Sequence, residues 1–458
     1  MFDSRYDAIL VDLDLLCRKI ANQNGKNIDM KQIPLSILAA ALICAAACGS
    51  AKTTGWTRQA FETYDAFNTV FLDSTRYIYK NTTADTAAVD RWHGAAAIWC
   101  QPMYADMAMN AMLLAREQGD KIREAQYRKL ANKILDGNVA HYVNFDFDNN
   151  DTNYGWFIYD DIQWWTITMA RGAKILGRQD CRELAERSFA RVWYGSPKVG
   201  DTGSYADPSK GLGGGMFWQW QPLENPKANA AGDGKMSCIN FPTVVAAMLL
   251  HDVAPARRKA DPKPETWTNE YGSFTRPHYE TKERYLDMAK EIYAWAADKL
   301  GDMKTGMIVD NRHGESRGGH PLLYNQGTFI GAAALLYKAT GDPKYLDNAK
   351  AGADYSINVL SKDGYLPWAH NPNNPYDQGS LEQGVYPAIW AQYMDILIND
   401  CGQKQYRDFI RKNITAGLGN RNAKGICDGE LGIITPDGTL IGSYAASSLP
   451  SLMLLFPR

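Results

Sequence analysis

Tyr285-Leu286-Asp287-Met288-Ala289-Lys290 and Tyr345-Leu346-Asp347-Asn348-Ala349-Lys350 are nearly the same hexapeptide, written twice. Weaker copies are Tyr127-Arg128-Lys129-Leu130-Ala131-Asn132 and Cys181-Arg182-Glu183-Leu184-Ala185-Glu186, and Tyr406 opens a last, degenerate one. The starts at 127, 181, 285, 345 and 406 lie 54, 104, 60 and 61 residues apart, so the long gap holds two periods. An aromatic residue, Leu and Ala at helical spacing predict a helix with one buried stripe. Gly177 precedes the copy at Cys181 and Gly341 the copy at Tyr345, each a helix stop ahead of a new start.

Between the copies lie second helices, more apolar and richer in Ala and Gly, near 98–117, 160–176, 237–251, 327–340, 382–398 and 443–456. An opening helix near 59–80 brings the count to about twelve, in six pairs. Helix pairs repeating at this period build either an open solenoid or a closed ring. Apolar, small-residue inner helices favour closure, because a helix apolar all round must be covered on all sides. The expected fold is all-α, an (α/α)6 barrel of six helical hairpins. The long connections 195–236 and 252–280, rich in Gly, Pro and Trp, are expected to build one face of it. Nothing in the composition of 59–458 reads as a linker, so 49–458 is expected to be one domain.

The chain has 458 residues, a formal net charge of −2 and no basic stripe, which argues against a nucleic-acid partner. Its 13 Trp and 25 Tyr suit the apolar faces of sugars, although most such rings in any protein fill core. From Met30 the sequence MKQIPLSILAAALICAAACGS runs from a Lys through a short apolar stretch to small residues and Cys48. That is a secretory signal pattern, and Ala45-Ala46-Ala47-Cys48 resembles a bacterial lipobox. Residues 30–48 are therefore expected to be a lipoprotein signal peptide with Cys48 as the acylated residue. Residues 1–29 precede that start and are expected to be a non-native upstream extension. The protein is expected at the cell envelope, as a monomer touching the membrane only through its lipid. Cys100, Cys181, Cys238, Cys401 and Cys427 form no paired spacing and read as buried small hydrophobes.

Asn153-Tyr-Gly-Trp-Phe-Ile-Tyr-Asp-Asp-Ile-Gln-Trp-Trp165 carries the chemistry-bearing residues. Asp160 and Asp161 stand where a polar loop becomes an inner helix, with aromatics on both sides. Cleaving a glycosidic bond takes one acid to protonate the leaving oxygen and a second carboxyl group to act at the anomeric carbon. A helix N-terminus favours one ionised carboxylate, while burial and mutual repulsion keep the other protonated. The same two residues could instead cap the helix, as Asp often does.

The Tyr-Asp-Asp-x-x-Trp-Trp block resembles the catalytic signature of glycoside hydrolase family 76, the endo-α-1,6-mannanases. In order along the chain, Gly214-Gly215-Met216-Phe217-Trp218 resembles that family's GG-[IM]-x-W block. Lys235-Met236-Ser237-Cys238-Ile239-Asn240 resembles its K-N-A-I-S-N block, keeping the first and last residues. Tyr324-Asn325-Gln326-Gly327 with Gly331 matches YNQG-x-x-x-G. Glu382-Gln383-Gly384-Val385-Tyr386 stands where many members carry an FKG-type motif. The resemblance implies an (α/α)6 barrel and a retaining endo-α-1,6-mannanase acting on α-mannan, with no metal or cofactor. Asp160 would be the nucleophile and Asp161 the acid/base. Further candidates for sugar contact are Trp164, Trp165, Trp218, Trp220, Lys235, Asn240, Tyr324, Asn325 and Gln326. For Lys235 and Asn240 the alternative is ordering of a loop, and for Tyr324 to Gln326 a structured turn. A transglycosylase or another glycoside-processing enzyme on the same barrel, or a non-catalytic glycan-binding lipoprotein, are the rival readings.

Two other patterns fail. Asp146-x-Asp148-x-Asn150 begins like a calcium loop but lacks its Gly and closing Glu. Gly211-Leu-Gly-Gly-Gly215 has the wrong spacing for a nucleotide loop.

Overall fold

Twelve principal helices follow one another in a computed structural model described over residues 55–149, 151, 154–196, 198, 200–219, 234–269, 272–313, 316–367 and 378–457. They are α1 (Gly55–Phe71), α2 (Gln101–Glu117), α3 (Lys121–His141), α4 (Tyr159–Leu176), α5 (Gln179–Tyr194) and α6 (Ser237–Val253). The second half holds α7 (Lys282–Leu300), α8 (Leu323–Thr340), α9 (Pro343–Tyr355), α10 (Tyr386–Asp395), α11 (Arg407–Gly419) and α12 (Ser448–Leu455). Residues 1–48, with the proposed lipidation site Cys48, and Trp220 lie outside the described residues.

The helices fall into two classes. α3, α5, α7, α9 and α11 bury one face, as α7 does with Tyr285, Met288, Ala289, Ile292, Tyr293, Ala296 and Leu300. The first and fifth positions of the repeated hexapeptide thus form the stripe, apart from the half-buried Tyr345. Leu130, Leu184, Leu286 and Leu346 are only half-buried at its edge, a narrower stripe than the sequence suggested. Side-chain caps start several of these helices: Asp120 accepts from Arg123 N at 3.0 Å, Thr281 from Arg284 N at 3.1 Å, and Asp342 from Lys344 N at 3.0 Å. Gly177 and Gly341, both left-handed, end the helices before them.

α2, α4, α6, α8, α10 and α12 are buried nearly all round, and they close a ring. α2 packs on α4, α4 on α6, α6 on α8, α8 on α10, α10 on α12, and α12 back on α2. Five of the inner helices also pack on a one-faced neighbour, with α1 lying against α12, and α10 meets α11 through Trp390 and Phe409, whose ring centroids are 6.0 Å apart. This is the all-α (α/α) toroid the repeat predicted. The Gly327 and Gly331 pair explains part of the YNQG-x-x-x-G pattern. A Cβ on Gly327 would come within 2.8 Å of Trp390 Cα, and one on Gly331 within 2.2 Å of the Tyr393 ring. These glycines let α8 approach α10.

Some expectations need correction. The opening helix stops at Phe71, because Asp73 Oδ1 accepts from Thr75 N at 2.9 Å and turns the chain into a short hairpin, Leu72–Asp73 with Ile78–Tyr79. The connection 252–280 contains an antiparallel hairpin, Glu265–Asn269 with Gly272–Arg276, in which Trp267 faces Phe274. The segment near 382–398 is one helix only from Tyr386 to Asp395, entered through short turns and left through a π-helical turn. The last inner segment is split between Ser443–Ala446 and α12.

Candidate active site

Residues at or near the starts of the inner helices meet one another, Trp99 with Trp164 and Tyr324, Tyr324 with Tyr386, and Ala97 with Tyr444, so these N-termini gather at one end of the ring. Asp160 and Asp161 occupy the first turn of α4 there. The N-cap residue is Ile158, and no side-chain cap bond is made, so the Asp pair does not serve as a conventional cap. Asp160 is buried, with 8% of its surface exposed, and its Oδ1 has no hydrogen-bond partner. Asp161 is half-buried beside it. Burial raises the Asp160 carboxyl to about 7, against the pull of Cys238, Trp218 and the first amides of the helix, which favour its charged form. Burial raises Asp161 well above the carboxylate range, and the charges of Asp160 and Glu382 push the same way, while Arg91 opposes them. The two carboxyls titrate as a pair, the charge of one raising the other, so after the first proton leaves they hold the second between them.

Three of the sequence blocks combine into the shelf that positions this pair. Tyr159 N donates to Trp218 O at 2.9 Å, and Trp218 N donates to Gly234 O at 2.7 Å. Asn240, fully buried, accepts from Met216 N at 2.9 Å and donates to Met216 O at 3.1 Å and Met236 O at 2.8 Å. Lys235 Nζ donates to Leu212 O at 2.6 Å and Gly214 O at 2.7 Å, over the rings of Phe217 and Trp295. Gly214 and Gly215 have φ of 78° and 75°, and a Cβ on either would strike Trp295. Lys235 and Asn240 thus order the loop, with their polar atoms spent on backbone. From the other side, the Tyr159 hydroxyl donates to Asp201, which is ion-paired with Arg191.

The remaining candidates divide. Tyr324, at the start of α8, stacks on Tyr386 with centroids 4.2 Å apart and lies 6.2 Å from Trp99 and 6.5 Å from Trp164. It joins the Asp pair, and its phenol is raised by burial and by Cys238, Tyr386, Asp310 and Asp160. Trp164 is fully buried in this wall, with its Nε1 unpartnered. Asn325 donates to Asp310 Oδ1 at 3.0 Å and leaves its own Oδ1 buried without a partner. Trp218 is half-buried next to Asp160.

Trp165 and Gln326 are placed elsewhere. Trp165 is fully buried, donates to Ile98 O at 3.1 Å and packs on Phe145. Gln326 accepts from Ile308 N at 2.6 Å and donates to Gly306 O at 2.8 Å, tying down a hairpin. For both, the structure replaces sugar contact with a backbone-anchoring role behind the wall.

Sequence reasoning missed several neighbours. Trp99 Nε1 donates to Glu382 Oε2 at 2.8 Å, and Glu382 and Arg91 both act on Asp161. Cys238, read as a buried hydrophobe, is buried but touches the Asp160 carboxylate. Arg91 and Trp99 belong to the segment before α2, where no repeat or motif marks them. Glu382 was visible only as a departure from a motif. Among the described residues, no group of three His, Cys, Asp or Glu is arranged to hold a metal ion. A cavity of about 470 Å³ opens at the opposite end of the ring, among Asn110, Arg171, Asp395 and Arg407, and involves none of these groups.

Residues 277–433, from α7 through α11, match the family model described as glycosyl hydrolase family 76. That match does not reach the Asp pair. No curated protein matches the sequence. Among solved structures, the α-1,6-mannanase of Salegentibacter sp. HEL1_6 is similar at TM-score 0.63 and 20% identity, over 87% of this chain and 98% of that one. An inactive variant of it, with asparagine replacing two consecutive aspartates, is described in complex with α-1,6-mannotriose. A family 76 mannosidase from Bacteroides thetaiotaomicron is similar at TM-score 0.62 and 18% identity, over 88% of this chain and 97% of that one. At these identities the likeness establishes the fold, an (α/α) toroid of the family 76 type.

Proposed function

We propose that this chain is a glycoside hydrolase that cleaves the backbone of α-1,6-mannan internally, with retention at the anomeric carbon. The observation that carries the reading is the Asp160–Asp161 pair, one buried and one half-buried, at the N-terminal end of a closed helical ring. Two raised, mutually repelling carboxyls that keep one proton between them can present a charged nucleophile beside a protonated acid. The family match over 277–433 and the fold support it. So does the Salegentibacter variant, described as inactive with two consecutive aspartates changed. Asp160 Oδ1, Trp164 Nε1 and Asn325 Oδ1 are buried and unpartnered at this end, and a polyhydroxylated ligand would supply partners.

In this mechanism an Asp160 oxygen attacks the anomeric carbon as Asp161 gives its proton to the departing glycosidic oxygen. A glycosyl ester on Asp160 results. Asp161, now a carboxylate, takes a proton from water, whose oxygen attacks the same carbon and releases Asp160. Two inversions give net retention.

The test is incubation with linear α-1,6-mannan, followed by chromatography and by NMR of the first anomer released. Intermediate oligosaccharides released first as the α-anomer are expected. Mannose alone would mean exo action, and products longer than the donor would mean transglycosylation. Absence of any product, with binding retained, would replace the reading by a glycan-binding protein.

We also propose that Cys48 is the lipid-bearing first residue of the mature protein at the cell envelope, supported by the lipobox-like Ala45-Ala46-Ala47-Cys48. Among the described residues no helix is long and apolar enough to cross a membrane. Cys48→Ala should move the protein from the membrane to the soluble fraction. An unchanged distribution would refute the anchor.

A further inference from the structure

Among the described aromatic side chains only two are more than half exposed, Trp92 at 64% and Tyr154 at 53%. They are far apart in order along the chain, yet one residue joins their segments. Arg91 donates from Nη1 to Gly155 O at 2.6 Å, next to Tyr154, and its guanidinium lies 5.3 Å from the Trp92 ring centroid. The same guanidinium also meets the Trp156 ring, 5.6 Å from its centroid, at the base of the catalytic segment. Arg91 is also the cation that opposes the upward shift of Asp161. The exposed rings therefore stand beside the segment 154–156 that leads into Asp160 and Asp161, rather than at a random place on the surface.

Both rings are held by ordered backbone. Asp90 Oδ1 accepts from Trp92 N at 2.8 Å and His93 N at 3.0 Å, and Val89 N donates to His93 O at 3.0 Å, so Trp92 rides on a closed turn. Tyr154 N and Gly155 N both donate to Asp151 O, at 3.2 and 2.6 Å. Exposing a Trp carries a hydration cost, and the cation beneath it fixes its orientation. Such a ring is pre-ordered to receive a flat apolar surface. The face of a pyranose, with its axial C–H groups, is such a surface.

We propose that Trp92 and Tyr154 form a sugar-binding platform on the leaving-group side of the cleavage point, taking a pyranose unit of the glycan chain beyond the bond that is cut. This rests on the mannanase reading for the sugar and on Asp161 as acid/base for the side. The platform recognises chain continuation, so it acts on long substrates and contributes little to the shortest ones.

The test is calorimetric titration of the doubly blocked protein, Asp160→Asn with Asp161→Asn, with linear α-1,6-manno-oligosaccharides of increasing length. The same series is then run with Trp92→Ala or Tyr154→Ala added. Ile122→Ala, an exposed residue on outer helix α3, is the control. Affinity should rise with length in the parent and the control. Trp92→Ala should weaken the longer oligosaccharides by about fivefold to tenfold, the size of one aromatic contact, and flatten the length dependence. An unaltered length dependence in both platform variants would overturn the inference even if mannan is cleaved. If the wild-type chain neither cleaves nor binds α-1,6-mannan, the functional reading itself fails, and the platform falls with it.

Discussion

Replacing Asn240 by Ala separates a residue that shapes the site from one that grips sugar. Its amide makes three hydrogen bonds, two to Met216 and one to Met236, in a place where the side chain is fully buried. Each is a neutral bond with a net worth of about 1 kcal/mol, and Ala would leave an amide and two carbonyls without that partner. The expected loss is about 3 kcal/mol, a large share of the roughly 5–15 kcal/mol of a typical domain. Urea unfolding followed by tryptophan fluorescence would read it as an earlier midpoint at unchanged slope. The chain through Met216, Phe217 and Trp218 ends at the bond from Tyr159 N, beside Asp160, so kcat should fall as the carboxylates lose their placing. KM for a short oligosaccharide should change by less than about threefold, since no amide atom is spared for a hydroxyl. If stability were unchanged and KM rose tenfold, Asn240 would be a sugar ligand and the shelf argument would fail.

Four further outcomes follow from the geometry. The pH profile of kcat/KM should be a bell, rising as the Asp160–Asp161 pair loses its first proton and falling as it loses the second, with both limbs above the ordinary carboxylate range. Arg91→Gln removes a cation that lowers Asp161, so the alkaline limb should move to higher pH; a limb that moves down or stays would refute the electrostatic assignment. Burial acts to raise Asp148, but hydrogen bonding and charge from Arg276 outweigh it and hold the carboxyl at about 2. Its stabilising effect, about 2 kcal/mol by linkage, is fully present above the ordinary Asp range and is lost as pH falls through about 2. Asp148→Asn should flatten the acid limb of stability against pH, and an identical limb would contradict it. Gly327→Ala sets a methyl group 2.8 Å from the Trp390 backbone and should cost about 1–3 kcal/mol, read as a lower Tm; an unchanged Tm would show that α8 and α10 have slack.

The ring was legible because it is written locally. A helix that must bury one face spaces Tyr285, Met288, Ala289 and Ile292 in a way a reader can count, and a helix buried all round is apolar throughout. The left-handed glycines at 177 and 341 mark where such helices end. The Asp pair was legible for a different reason: two adjacent carboxylates among aromatics are conspicuous at a helix start. The hairpin at 265–276 was not legible, because Gly, Pro and charged residues around it read as loop. What holds it in place is Arg276, bonded to Asp148 at 2.8 Å across the fold.

The candidate site shows where such reading stops. A residue type announces what its side chain can do, but only the fold decides what is within its reach. Lys235, Asn240 and Gln326 have the right polarity for sugar hydroxyls, yet their hydrogen bonds go to nearby backbone. Arg91 and Trp99, Cys238, and Glu382 come from three separate stretches and meet only because the inner helices bring their N-termini together. Conserving the sequence blocks while rebuilding the segments around Arg91 and Glu382 would therefore keep the ring and the shelf. It would alter the proton affinity of Asp161 and the glycan that can lie across it. In a closed helical ring the motif residues chiefly set the position of the carboxylates, and the unmarked connections set their chemistry.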